Sequence, residues 1–99
     1  MATFVMLSKM SLTSTGEVLS LSELNARMHE KLAQEYPDVK WIASYVLLGE
    51  YDFLHIFEAP SATVAAKVAL LVNALGMGMT QTLTAIPFTE FGSAEASAE

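Results

Sequence analysis

There is no cysteine in these 99 residues. Disulfide staples, thiolate catalysis and Cys-ligated zinc or iron–sulfur centres are therefore excluded. Positive charge is almost as scarce: five Lys and Arg stand against eleven Asp and Glu, for a net charge of −6. That balance leaves no electrostatic footprint for nucleic acid or for an anionic membrane surface. No apolar run is long enough to cross a bilayer. The greasiest stretch, Val64 to Met79, carries Lys67 and Asn73, and a spanning helix needs roughly 20 mostly apolar residues, so it reads as a core helix with Lys67 snorkelling. The N-terminus, Met1 to Leu7, lacks the basic head and small-residue cleavage site of a signal peptide, and the expected location is cytoplasmic. GxSxG, P-loop and GxGxxG motifs are absent, and Gly76-Met77-Gly78 follows a helix rather than the strand a dinucleotide fingerprint requires.

What is present is apolar mass. Hydrophobic residues make up 53% of the chain and charged ones 16%, which is not the composition of a disordered segment. A chain of this length forms one domain, and so small a domain cannot hide all of that surface in its own core. Large exposed apolar patches are rare on monomers, so self-association is expected.

Thr3 to Ser8 is short, apolar and rich in β-formers, and reads as a strand buried on both faces. Met10 to Leu19 reads as a loop. Ser20-Leu21-Ser22-Glu23 fits a capping box opening a helix, whose apolar stripe is Leu21, Leu24, Met28 and Leu32 and which Pro37 ends near Tyr36. The opposite face carries Arg27, Glu30, Lys31 and Glu35.

Lys40 to Leu48 and Asp52 to Glu58 are strand-like, and Gly49-Glu50-Tyr51 joins them as a hairpin. Pro60 and Ser61 open a second helix with the stripe Val64, Val68, Leu71 and Leu75, ended by Gly76 and Gly78. Thr80 to Ile86 is a last strand, closed by Pro87. Residues 1–91 form the domain, and Gly92 to Glu99, only Gly, Ser, Ala and Glu, read as a frayed acidic tail.

The order βαββαβ, with right-handed crossovers, predicts an α+β ferredoxin-like fold: a four-stranded antiparallel sheet with both helices on one face. Whichever alternate residues face the helices, the other set keeps Phe4 and Met6 or Val5 and Leu7, and Phe53 and Phe57 or Leu54 and Ile56. The uncovered face is therefore apolar, and a second copy of the same sheet is the expected cover.

The segments Ala2 to Leu7, Val39-Lys40-Trp41 with Ala43-Ser44-Tyr45, Leu48-Gly49-Glu50-Tyr51-Asp52-Phe53 and Ile56 to Pro60 resemble the GYD-domain family, named for its Gly-x-Tyr-Asp hairpin. The likeness runs from residue 2 to about 91. It implies a ferredoxin-like fold and an assembly of the dimeric α+β-barrel type, with no biochemical function attached. The hairpin and following helix also look like the effector-binding domains of leucine-responsive-type transcription regulators, which oligomerise and bind amino acids between protomers. The DNA-binding helix-turn-helix of those regulators has no counterpart here.

Five residues are the candidate ligand-binding set: Ser44, Tyr45, Tyr51, Asp52 and His55. Gly49 and Asp52 have a structural use as turn residues, Gly49 for positive φ and Asp52 for bonding turn amides. His55 lies mid-strand on the side of Phe53 and Phe57. If the helices cover Leu54 and Ile56, it looks between two sheets, where burial would lower its pKa, with Ser44 or Tyr45 as a hydrogen-bond partner. His29, on the first helix, reads as solvent-facing, and the two histidines have no metal-ligand spacing, so neither metal nor cofactor is implied. Trp41, Thr82 and Thr84 add polar tips in apolar surroundings, the make-up of small-molecule pockets.

The leading reading is a non-enzymatic homo-oligomer, a homodimer or higher even assembly. It binds a small apolar or aromatic ligand between facing sheets, or serves as a structural or regulatory partner. The rival is a cofactor-independent enzyme, monooxygenase- or isomerase-like, as the barrel resemblance allows, with His55, Tyr45 and Asp52 as acid–base groups.

Overall fold

A computed structural model describes residues 1–9, 18–75 and 79–90 of the chain. The elements run β1 (Ala2–Lys9), α1 (Val18–Glu35), β2 (Lys40–Val46), β3 (Phe53–Ala59), α2 (Ala62–Ala74) and β4 (Met79–Ala85). Residues 88–90 begin a further helical turn, with the Glu90 N–H donating to the Pro87 carbonyl at 3.0 Å. The expected loop from Met10, the glycine cap at Gly76 and Gly78 and the tail 92–99 lie outside the described residues.

The periodicity reads the elements closely, with three differences of detail. Ser20 does not start the first helix, because α1 already runs from Val18 and encloses it. The second helix stripe includes Val72, fully buried with Val68 and Ala65, while Leu71 is only partly covered. The strand ending at Leu48 by sequence stops at Val46. Other local signals hold. The Ser61 hydroxyl accepts from the Val64 N–H at 3.2 Å and caps α2. Gly49 takes φ +155°, which L side chains rarely adopt.

The sheet is fully antiparallel in the order β2-β3-β1-β4, the ferredoxin-like arrangement. The expected barrel is corrected here. The sheet is open, with β2 and β4 as free edges separated by two strands. Four strands that each turn only some 20–25° against the next cannot bring those edges together.

Register sorts the side chains into rows. On the helix side one row runs Trp41, Phe57, Phe4, Thr84; the next Ser44, His55, Met6, Thr82; the third Val46, Phe53, Ser8, Thr80. Phe4, Met6, Phe57 and Ala59 are buried there under Met28 and Leu32 of α1 and Ala65, Val68 and Val72 of α2. On the other side the rows are Lys40, Glu58, Thr3, Ala85, then Ala43, Ile56, Val5, Leu83, then Tyr45, Leu54, Leu7, Gln81, so that a charged row borders two apolar ones. No described element covers these. Thus β1 is not buried on both faces: Phe4, Met6 and Ser8 are buried, while Thr3, Val5 and Leu7 are half-buried.

Candidate functional site

β2 carries a bulge between Trp41 and Ala43. In a regular strand residues three apart point to opposite faces, but the extra residue here, Ile42, shifts the alternation by one. Trp41 and Ser44 therefore both stand on the helix side, opposite Phe57 and His55. Their side chains meet: the Trp41 indole Nε1–H donates to Ser44 Oγ at 2.8 Å, and Ser44 Oγ lies 2.8 Å from His55 Nδ1.

An indole nitrogen only donates, so one Ser44 lone pair is taken. If the Ser44 hydroxyl then donates to Nδ1, both groups are satisfied and the imidazole proton sits on Nε2. In the opposite assignment Ser44 accepts twice and turns its hydrogen away from the imidazole, so the Nε2–H tautomer is the one that uses Ser44 as both acceptor and donor in this network. That Nε2 is buried and has no partner among the described residues. His55 is 3% exposed, sandwiched by Trp41 at 5.2 Å and Phe53 at 6.3 Å between ring centroids. Burial, helped by the nearby His29 imidazole, pushes its pKa below 6.5.

His55 therefore lies on the helix-covered side, with Phe53 and Phe57, and not among the residues of the uncovered face. The lowered pKa and the Ser44 partner match expectation, but the burial is due to the helix layer. His29 is exposed, as expected, and its ring meets Trp41 edge-on at 5.7 Å.

His55, Ser44 and Tyr45 line one cavity of about 270 Å³, together with Val46, Phe53 and, from α1, Ser22 and Asn25. The other two candidates lie elsewhere. Tyr51 Oη donates to Gln81 Oε1 at 2.6 Å, across β1. Asp52 closes the hairpin through its backbone: its N–H donates to the Ser8 carbonyl at 2.9 Å and its carbonyl accepts from the Leu47 N–H at 2.8 Å. A second, apolar hollow of about 370 Å³ lies beyond Trp41, lined by His29, Leu32, Ala33, Tyr36, Pro37, Val39 and Trp41.

Two further buried polar atoms without partners among the described residues share the helix side, Ser8 Oγ and Thr82 Oγ1. Thr82 is in His55's row across Met6, and Ser8 is one row on. Ser8, Ser22 and Asn25 carry no motif by which a sequence would reveal them. Trp41 and Thr82 stand out only as polar tips, and the bulge that gives Trp41 its role leaves no residue signature. Ser44 and His55 are at the distance of a nucleophile and its base. The Trp41 N–H takes one of the two lone pairs of that oxygen, and no described carboxylate bonds the imidazole at Nε2.

Among the described residues no three His, Asp or Glu side chains gather to hold a metal ion, and no helix is long and apolar enough to cross a membrane. The chain belongs to the GYD domain family, whose model matches residues 4–94. The glutamine synthetase and cystathionine beta-lyase binding protein of Thermus thermophilus is 30% identical over 90 residues, 91% of this chain and 94% of that protein. The crystal structure of FFRP-DM1 superposes with a TM-score of 0.57 at 23% identity, over 87% of this chain and 100% of that one. The hypothetical protein PHS023 from Pyrococcus horikoshii gives 0.53 at 25% identity, over 88% and 92%.

Proposed function

We propose that this GYD-domain protein is a non-catalytic binding protein that works as a homo-oligomer, with its helix-free sheet face docked on a second copy. One observation carries the reading. Two adjacent rows of that face, crossing all four strands, hold Ala43, Ile56, Val5, Leu83, Tyr45, Leu54 and Leu7 against a single polar residue, Gln81. Tyr45 and Leu83 are 55% and 42% exposed. A chain with net charge −6 has charge to spare for its surface, yet none is spent on these rows. An uncharged, self-complementary band suits isologous pairing, which closes without leaving a new apolar surface.

The Thermus relative, named for binding two enzymes, supports a binding role for this chain, and a regulatory role exerted through protein contacts is part of this reading.

Sedimentation equilibrium of the full chain at micromolar concentration is expected to show an even-numbered assembly. Leu54→Asp, in the middle of the band, is expected to give monomers with an unchanged far-UV circular dichroism spectrum. A monomeric wild type, or an assembly that survives both Leu54→Asp and Ile56→Asp, would overturn the reading. Phe53 and Phe57 are not suitable probes, because the helices cover that side.

A further inference from the structure

We propose that the cavity between the first half of α1 and the β2–β3 edge binds a small uncharged molecule with an apolar, aromatic body and a carbonyl-type oxygen, which accepts from His55 Nε2–H. This site is on the opposite side of the sheet from the docking face, and neither reading depends on the other.

Three observations converge. In the tautomer that lets Ser44 accept from Trp41 and donate to His55, the remaining polar atom of the imidazole is a donor, buried and without a partner among the described residues. Buried donors are almost always satisfied, so an unpartnered one on a residue that lines a cavity points to a missing acceptor. Ser8 Oγ and Thr82 Oγ1 are unpartnered on the same side of the sheet, in the same row as His55 and the next. A concentration of this kind, beside a cavity of about 270 Å³, is what a protein shows where a polar ligand or ordered water completes the network.

The lining sets the chemical class. Val46 and Phe53 supply apolar and aromatic wall from the helix side of the sheet, while Tyr45 borders the cavity from a register position that turns its ring to the other face. Ser22 and Asn25, from α1, add polar groups that donate or accept. Among the described residues no Lys, Arg, Asp or Glu is in the lining, so they offer neither an anion nor a cation a counter-charge. Burial already disfavours the charged imidazolium, so His55 offers a neutral donor. A carboxamide or ketone on an aromatic ring fits all three conditions.

The test uses the isotope-labelled full chain in solution, with benzamide as the probe. Long-range proton–nitrogen spectra at neutral pH are expected to show His55 as the Nε2–H tautomer. Titration with benzamide is expected to shift the His55 ring and the Ser44 and Asn25 amides saturably. Ser44→Ala, which frees the imidazole to take either tautomer, is expected to weaken benzamide about tenfold, the scale of one hydrogen bond. His55→Phe is expected to abolish the saturable shift, with folding verified from the remaining spectrum.

The Nδ1–H tautomer in the wild type would overturn the proposal. So would benzoate binding more tightly than benzamide, or a long-lived water at His55 Nε2 with no benzamide response. Unchanged benzamide affinity in both variants would do the same.

Discussion

The helix-covered side of the sheet has two ends built on opposite principles. At one end Trp41, Phe57 and Phe4 lie side by side, with Trp41 and Phe57 stacked at 5.3 Å and 8° and Phe4 on Phe57 at 5.7 Å and 27°. Leu32 and Met28 close over them. One row further along, Ser44, His55 and Thr82 replace aromatic rings with polar groups, and the third row adds Ser8. There the buried polar atoms outnumber their partners and a cavity remains. Both ends lie on one side of one sheet, so the side chains that each row presents, aromatic in one and polar in the next, make the difference.

The contrast can be broken hardest at Phe57, fully buried and stacked on both sides. Phe57→Ala is expected to cost about 3–5 kcal/mol, the range for emptying an aromatic core site. Urea denaturation followed by circular dichroism measures it, and a loss below about 1 kcal/mol would mean that the aromatic row does not anchor the layer.

Ser44→Ala comes next. It leaves Trp41 Nε1–H and His55 Nδ1 without their shared partner, and a cost of about 1–2 kcal/mol is expected in the same assay. Ser8→Ala and Thr82→Val probe the reverse case. Each removes a buried hydroxyl that bonds to nothing in the described structure, so the ligand-free protein is expected to be unchanged or more stable by up to about 1 kcal/mol. Destabilisation of that size by both would show that the two hydroxyls are satisfied in solution.

The smallest effect is on pH dependence. The folded pKa of His55 lies below its unfolded value of 6.5. As pH falls below 6.5, the unfolded chain takes up a proton that the folded one refuses. The His55 contribution to stability is therefore complete above about pH 6.5 and declines as pH falls toward the folded pKa. Melting temperatures are expected to show this decline in the wild type and a shallower one in His55→Gln. His29 lies near enough to affect His55, so His29→Gln is the control that separates the two imidazoles. Identical profiles for wild type and His55→Gln would remove His55 as the source.

How much of this was legible beforehand varies with the distance over which the cause acts. The stripe of Leu24, Met28 and Leu32, the Ser61 cap and the Gly49 turn are local, and they read correctly because spacing and φ preference act over a few residues. The nearness of Ser44 to His55 was legible, as polar tips on two strands of one hairpin. Tyr45 takes the opposite parity from Ser44, and the Tyr51 hydroxyl bonds Gln81 across β1, a placement that depends on how β4 pairs with β1 and that no local spacing announces.

The sequence by itself determined the element order, the four-stranded antiparallel topology with both helices on one side, and an apolar face on the other. Each follows from periodicity and handedness, which need no partner. Only the tertiary structure decided which alternate set of β3 residues the helices cover, and so that His55 is buried beneath them. It alone showed that one extra residue in β2 turns Trp41 and Ser44 to the same side. Period-two alternation fixes which residues share a face but not which face is covered, and a bulge resets that alternation through pairing with another strand, at no position a single segment can announce.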